Sequence, residues 1–266
     1  MNTFGFIGTG NMGGALARAT AKSVAPENIY LGDAFAEKAQ ALAKETGCNA
    51  ADVEQIVKNC HFIFLGVKPQ VLGDLLKTIS PVLAQRKDPF VLVSMAAGVC
   101  IGDICKMLGE NYPVIRIMPN IPVSVGGGVI LYDATENVAQ EDIAAFRSAL
   151  SSAGLVDRLP EKLIDAGSAL SGCGPAFVSL FIEALADGAV ACGLPRQQAY
   201  AYACQTLVGT AQLVQTGMHP GALKDAVCSP GGSTITGVAA LEQGGLRAAA
   251  MDAVVCAFER TKELGK

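Results

Sequence analysis

The sequence predicts an α/β domain built on a doubly wound parallel sheet, followed by an all-α domain. Three observations lead to this prediction: the length of the chain, the alternation of apolar runs with helical segments in its first part, and the loss of strand-like runs beyond about residue 160. With 266 residues the chain is long enough for two domains of ordinary size. We therefore expect one domain over residues 1–159 and a second over residues 160–266.

The first part of the chain alternates between short apolar runs and segments with helical periodicity. Such alternation is typical of right-handed βαβ units with parallel strands. The predicted strands are Thr3–Ile7, Asn28–Leu31, Phe62–Val67, Phe90–Met95, Pro113–Ile117, Val129–Tyr132 and Leu155–Arg158. The predicted helices between them are Met12–Ser23, Phe35–Thr46, Asp52–Lys58, Val71–Leu83, Ile101–Leu108 and Gln140–Leu150.

Beyond residue 160, alanine, leucine, valine and glutamine at helical spacing predict helices separated by glycine or proline turns. The predicted helices are Glu161–Leu170, Ala176–Cys192, Arg196–Thr216, Pro220–Val227, Thr234–Gln243 and Arg247–Leu264. They are apolar nearly all round, which indicates burial. A domain of about 105 residues cannot bury that much apolar surface by itself. The sequence therefore predicts a homo-oligomer, a dimer or a larger assembly, formed through the helical domain.

Composition excludes several kinds of partner. The net charge is −4 and no basic stripe is present, so nucleic acid is not expected. Nine scattered cysteines without a C-x-x-C pair predict reduced thiols in a cytoplasmic protein. The longest uncharged stretch, residues 197–223, contains several polar side chains and a His-Pro-Gly turn, so no membrane span is expected. We expect no metal site, and we interpret His61 and His219 as structural.

A glycine turn follows the first predicted strand and opens a helix. It reads G-x-G-x-x-G from Gly8 to Gly13, in the context that a dinucleotide-binding Rossmann domain requires. Gly8 permits the tight turn, Gly10 lets the backbone approach a pyrophosphate, and Gly13 lets the helix pack closely on the strand. The amides at the helix N-terminus then hold the anion. The expected cofactor is NADP or NAD, with Ile7, Gly8, Thr9, Gly10, Asn11 and Met12 at its site.

Asp33 lies about 20 residues beyond the glycine turn, at the end of the second predicted strand. An acid at this position binds the adenosine ribose hydroxyls and disfavours a 2′-phosphate. Lys38 is the nearest basic residue that follows. By itself this pattern favours NAD over NADP. The alternative is that Asp33 caps the following helix, and the choice of dinucleotide stays open.

The carboxyl ends of the later strands extend this site, because ligands of doubly wound sheets bind beyond those ends. The residues expected there are Gly66, Val67, Lys68, Pro69, Met95, Ala96, Ala97 and Asn120. Two prolines fix the backbone around Asn120, whose amide could bind a carboxamide or a ribose. Lys68 precedes a proline, so we expect it to be extended and at the surface rather than a chemical base.

A second glycine loop lies in the helical part. Gly231 and Gly232 lead into Ser233 and Thr234, either of which could cap the helix that follows. The remaining first-turn amides could then bind a carboxylate without a positive side chain. The spacing alone fits equally a capped turn between two helices that binds no ligand.

Five motifs in order make the whole chain resemble the pyrroline-5-carboxylate reductase family. The motifs are Val67–Pro69, Ala96–Gly98, Arg116–Pro122, Ser168–Phe177 and Ser229–Thr234, the last followed by Gly237, Leu241, Glu242 and Arg247. The resemblance implies NAD(P)H-dependent reduction of the cyclic imine 1-pyrroline-5-carboxylate to L-proline, the last step of proline biosynthesis. This chain departs from the usual family pattern in having Cys228 and Ser233 where threonine is common, and Phe177 where tyrosine is common.

The resemblance also implies roles for the second loop. The substrate carboxylate would be held by residues of that loop, namely Ser229, Gly231, Gly232, Ser233 and Thr234. The Thr234 hydroxyl would lie near the ring nitrogen, which makes Thr234 the expected catalytic residue. A protonated imine is already a good electrophile, so no strong acid is required and the protein's main task is orientation.

Two other kinds of protein share parts of this pattern. A β-hydroxyacid dehydrogenase joins the same two kinds of domain, but it needs a general base, usually a lysine of the helical domain. The lysines there do not lie in such a motif; they are Lys162, Lys224, Lys262 and Lys266. A nucleotide-sensing or scaffold protein would bind NAD(P) without turnover, and the intact second loop argues against it.

Overall fold

The computed structural model describes residues 2–264, and eight strands and twelve α-helices lie within them. The strands are β1 (Phe4–Ile7), β2 (Ile29–Gly32), β3 (Asn49–Ala50), β4 (Phe62–Leu65), β5 (Val91–Ser94), β6 (Val114–Pro119), β7 (Gly128–Ala134) and β8 (Gly154–Arg158). The helices of the first part are α1 (Asn11–Thr20), α2 (Ala36–Thr46), α3 (Val53–Asn59), α4 (Pro69–Leu83), α5 (Ile101–Leu108) and α6 (Gln140–Ala149). Those that follow are α7 (Glu161–Ser171), α8 (Gly174–Ala191), α9 (Arg196–Gln215), α10 (Pro220–Val227), α11 (Ser233–Gln243) and α12 (Leu246–Leu264).

The strands form one sheet in the order β3-β2-β1-β4-β5-β6-β7-β8, which is the doubly wound arrangement that the sequence predicts. The sheet is mostly parallel, as predicted, and the exception is β7, which runs antiparallel to β6. A parallel crossover needs a dozen or more residues. The connection from β6 to β7 is only a short 3₁₀ turn at Ile121–Val125, so the chain has to return antiparallel. The two-residue strand β3 was not predicted, since it is too short to leave a pattern.

Apolar layers cover both faces of the sheet. On one face, Phe4 stacks on Phe62 with ring centroids 5.0 Å apart, and Phe6 stacks on Phe64 at 4.3 Å. Ile7, which follows Phe6 on β1, belongs to the layer on the opposite face, because side chains alternate along a strand. Burial on both faces is why these strands are continuous apolar runs in the sequence.

The chain divides into two compact units. The first contains the residues up to Gly172 together with those from Phe258 onward, and the second contains Cys173–Ala257. The first unit therefore includes α7, which the predicted division at residues 159/160 assigns to the helical domain. The boundary at residues 159/160 stays a prediction, because it divides the chain by function. The two compact units divide the chain by how its residues pack.

The second unit leaves most of its apolar side chains exposed. Of the eighteen residues of α8, only Ala186 is buried. Leu180 is 66% exposed, and Met251 on α12 is 69% exposed. An open apolar groove between these two helices is lined by side chains that include Phe177, Phe181 and Leu246. A large exposed apolar surface is typical of an interface.

One segment, residues 161–191, is long and apolar enough to cross a membrane by length and composition alone. A single segment of this kind is weak evidence for a membrane span. The structure divides it into α7 and α8, with Gly172 and Cys173 between them. The α8 part of this segment lines the exposed groove of the second unit, for which an interface between protein chains is a sufficient explanation.

Candidate active site

The predicted cofactor residues follow the carboxyl ends of five parallel strands. In the register of the sheet, Ile7 lies opposite Gly32 on one side and Leu65 on the other, and Leu65 lies opposite Ser94. The ends of β1, β2, β4 and β5 are therefore level with one another at one edge of the sheet. The order of the strands reverses between β1 and β4, which is where doubly wound sheets open a crevice for a ligand.

The glycine turn is shaped by close backbone approaches. A Cβ on Gly8 would lie 2.4 Å from the Gly66 carbonyl oxygen, and a Cβ on Gly13 would lie 2.1 Å from the Gly8 carbonyl oxygen. Gly8 also has a φ of +99°, which other residues rarely adopt. Gly66 donates its amide to the carbonyl oxygen of Ile7 at 2.7 Å. These three glycines thus let β1, β4 and α1 approach closely.

Gly10 differs from the other glycines of the turn. A Cβ placed on it would meet nothing within 4 Å, and its φ of −65° is ordinary for any residue. It is the N-cap of α1, and no side chain takes a capping bond there. The first-turn amides of a helix have no partner within the helix. The turn therefore offers an open backbone cradle for an anion, and these residues fit the pyrophosphate of a dinucleotide.

Asp33 is tied to the glycine turn. Its Oδ2 accepts hydrogen bonds from the Thr9 amide at 2.7 Å and the Thr9 hydroxyl at 3.0 Å, while Oδ1 accepts from the Phe35 amide at 3.0 Å. Burial by itself would raise the pKa of Asp33, but these hydrogen bonds and the charge of Lys38 outweigh it and lower that pKa. The carboxylate is charged at neutral pH. The N-cap of α2 is Phe35, so Asp33 does not occupy the capping position that the sequence left open.

The residues that follow β4 and β5 differ in their exposure to solvent. Lys68 is exposed and extended, and it is the N-cap of α4, which begins at Pro69 rather than at the predicted Val71. Proline is favoured at the first position of a helix. Beyond β5, Ala96 is buried and Ala97 is exposed. Backbone and small side chains at these ends suit contact with a flat cofactor.

Asn120 has a structural role that the sequence did not reveal. Its side-chain amide donates to the Ser171 carbonyl oxygen at 2.9 Å, and its side-chain oxygen accepts from the Val129 amide at 2.8 Å. Asn120 thereby ties the end of β6 to β7 and to the end of α7. A contribution of the same side chain to the nicotinamide or ribose stays a prediction.

A charged clamp holds the other end of α7 to the sheet. Arg116, whose side chain is 4% exposed, lies 3.2 Å from Glu161 and 3.0 Å from Asp165. Glu161 also accepts the Ile101 amide at 2.7 Å, and its own amide donates to Asp133 at 2.8 Å. The signal in the sequence is an arginine within an apolar strand and two acids four residues apart on a helix. The partners themselves could not be read from it.

The second loop lies in the second unit and has an open helix N-terminus. Gly231 adopts a φ of +70°, and Gly232 is the N-cap of α11. The expectation that Ser233 or Thr234 caps the helix was wrong, because Gly232 takes that position and no side chain makes a capping bond. Ser233 and Thr234 occupy the first two helical positions, and both are exposed. Both side chains are therefore exposed to solvent, and no side chain caps the first turn of α11.

The two histidines have structural partners, in agreement with their interpretation from the sequence. His61 Nε2 lies 2.6 Å from Asp142 Oδ1, and His219 accepts the Gly221 amide as the N-cap of α10. All nine cysteines are unpaired. Among residues 2–264, no group of three or more histidine, cysteine or acidic side chains could hold a metal ion.

The chain matches two family models. Residues 161–264 match the family described as pyrroline-5-carboxylate reductase dimerisation, and residues 3–98 match the family described as NADP oxidoreductase, coenzyme F420-dependent. The first match covers α7 to α12 and the second covers β1 to β5 with the glycine turn.

Similar proteins extend over the whole chain. The pyrroline-5-carboxylate reductase of Methanosarcina acetivorans is 42% identical, over 98% of this chain and 97% of its own. That of Escherichia coli is 39% identical over 98% of both. Among solved structures, a Plasmodium falciparum pyrroline carboxylate reductase with NADP bound is 33% identical with a TM-score of 0.87, covering 100% of this chain and 98% of the other. A Coxiella burnetii pyrroline-5-carboxylate reductase is 31% identical with a TM-score of 0.92, covering 100% and 99%.

Proposed function

The chain belongs to the pyrroline-5-carboxylate reductase family, and we propose that it reduces the C=N bond of 1-pyrroline-5-carboxylate to give L-proline. The observation that carries this proposal is the identity of about 40% to reductases of this name over nearly the full length of both chains. It makes the protein an oxidoreductase of the last step of proline biosynthesis, with a reduced nicotinamide dinucleotide as hydride donor.

The first unit supplies the cofactor site. The bound dinucleotide would provide the hydride for the imine carbon. The chain's own contribution is the backbone cradle from Gly8 to Gly13, with Asp33 beside it and the level ends of β4 and β5. A cradle without a positive side chain binds an anion through amides and the helix dipole.

The second loop is proposed as the substrate site. The first-turn amides of α11 would hold the substrate carboxylate. Gly231 and Gly232 directly precede these amides in the chain. Thr234 at the second helical position would place its hydroxyl at the ring nitrogen, which has to carry a proton for the C=N bond to be reduced. The hydroxyl orients the nitrogen and relays a proton from water, since an unperturbed threonine is too weak an acid to donate one outright. Orientation of this kind is worth several kcal/mol of barrier.

The helical region self-associates, as its match to a dimerisation family and its exposed apolar helices both indicate. We propose a dimer as the smallest functional unit, with residues 160–266 as the dimerisation and substrate domain and residues 1–159 as the cofactor domain. The charge and cysteine content favour the cytoplasm, with no nucleic acid or membrane as partner.

One experiment tests the reaction. The purified protein is supplied with 1-pyrroline-5-carboxylate and either NADPH or NADH, and absorbance at the nicotinamide band is followed. Substrate-dependent loss of absorbance with proline as product is the expected result. A protein that binds a dinucleotide but turns over neither cofactor would be a nucleotide-binding protein of this fold instead, and the proposal would fail.

A further inference from the structure

A crevice beside Asp33 bears on which dinucleotide the protein uses. It is about 370 Å³ and lies between the end of β2, the start of α2, and the β3–α3 connection. Two carboxylates line it, Asp33 and Asp52, and the remaining lining side chains are alanine, valine and glutamine. Because Asp33 is hydrogen-bonded to the glycine turn, the crevice adjoins the proposed pyrophosphate site.

The Asp33 carboxylate retains the capacity to bind a hydroxyl. A carboxylate offers about four acceptor positions. In the described structure Oδ2 accepts two hydrogen bonds, both from Thr9, while Oδ1 accepts one, from Phe35. Oδ1 can therefore accept another from a ribose hydroxyl. A 2′-phosphate at the same place is a hydrogen-bond acceptor and an anion. It could not donate a hydrogen bond to Asp33, and the negative charge of Asp33 would repel it.

Compensating positive charge is scarce at the crevice. Lysine and arginine are absent from its lining residues. The nearest cation along the chain, Lys38, contributes to the lowered pKa of Asp33, but it does not line the crevice and its ammonium lies 4.8 Å above the Phe35 ring. Glu37 adds a further acid to the first turn of α2. A 2′-phosphate would thus face the two carboxylates of the crevice.

We propose that Asp33, supported by Asp52, makes this protein prefer NADH over NADPH. This preference rests on the proposed function, with its cofactor site in the first unit, and it concerns the residues of this chain alone. The similar Plasmodium falciparum structure contains NADP. The preference would therefore distinguish this chain within a family that also binds the phosphorylated dinucleotide.

The test is a direct binding measurement. The chain contains no tryptophan, so the fluorescence of bound NADH or NADPH can be followed with little protein background. We expect the Kd of NADH to be lower than that of NADPH by about tenfold or more at low salt. We expect the ratio to shrink as salt rises, because the discrimination is electrostatic. A wild-type protein that binds NADPH as tightly as NADH, or tighter, would overturn the proposal.

Variants test whether Asp33 and Asp52 cause the preference for NADH. Asp33→Ser should weaken NADH binding and tighten NADPH binding. Asp52→Asn keeps an N-cap side chain for α3 and removes one charge, so it should tighten NADPH alone. Asp74→Asn, on the exposed face of α4, is the matched control and should change neither Kd.

These outcomes separate the two proposals. If Asp33→Ser does not fold, the wild-type ratio and Asp52→Asn still decide the proposal. Unchanged NADPH affinity in Asp52→Asn, together with a wild-type ratio near one, would refute it. Failure of both dinucleotides to bind would instead refute the proposed function.

Discussion

Two glycines of the same turn should respond oppositely to substitution by alanine. A Cβ on Gly13 would lie 2.1 Å from the Gly8 carbonyl oxygen, whereas ordinary carbon–oxygen contacts are about 3.3 Å or longer. The backbone of β1 or α1 would have to move by about 1 Å. A Cβ on Gly10 meets nothing within 4 Å and requires no movement. Gly13 thus serves the fold, and we expect the open space at Gly10 to receive a ligand.

The expected magnitudes follow from these contacts. Overpacking of this kind costs about 1–3 kcal/mol, so Gly13→Ala should lower the Tm by roughly 2–12 °C. Gly10→Ala replaces one N-cap by a poorer one, which costs less than about 1 kcal/mol. Its Cβ occupies the space that the pyrophosphate needs, so dinucleotide affinity should fall by about tenfold or more, or 1.4 kcal/mol.

Thermal unfolding, monitored by circular dichroism, measures the change in Tm. Titration with NADH, monitored by fluorescence, measures the change in dinucleotide affinity. Alanine substitution at Gly109, whose Cβ site is also empty but whose φ is +71°, provides a comparison in which strain alone acts, far from the turn in sequence. Two results would contradict these expectations. One is a Gly10→Ala protein that binds the dinucleotide like the wild type, and the other is a Gly13→Ala protein with an unchanged Tm.

Four further predictions follow. Thr234→Ala should lower kcat by about tenfold to a hundredfold and leave the dinucleotide Kd unchanged, with recovery in Thr234→Ser, because only a hydrogen bond to the substrate is lost; an unaffected kcat would remove Thr234 from the mechanism. Arg116→Ala should lower the free energy of unfolding in denaturant titrations by about 2–4 kcal/mol, since it opens a buried clamp to α7, and an unchanged midpoint would contradict that role. Leu180→Glu should shift the protein toward monomer in light scattering, unlike Lys77→Glu in the first unit, and an equally stable oligomer would place the interface elsewhere. Burial raises the pKa of Cys60 to about 12, so this thiol should resist a thiol reagent at pH 8 in the native protein and react after unfolding; rapid native labelling would argue against its burial.

Much of the site could be predicted because its signals are local. The turn from Gly8 to Gly13 requires strand, turn and helix in sequence, and each is visible within a few residues. The loop from Ser229 to Thr234 is equally local. The direction of β7 was missed because it depends on the length of the connection from β6, which the apolar pattern of a strand does not report. The cap of α11 was misplaced by one or two residues, because several small residues in a row fit the same position.

By itself, the sequence determined the doubly wound sheet, the helical second part, the glycine turn and the loop before α11, since each follows from the spacing of neighbouring residues. The tertiary structure decided which groups far apart in the chain meet. It joined Asp33 to Thr9, Asn120 to Ser171 and Arg116 to Glu161. It also separated a glycine crowded by backbone, Gly13, from one facing open space, Gly10. The physical reason is that hydrogen bonds and steric contacts depend on distance in space, which sequence spacing fixes only within one element and its turns.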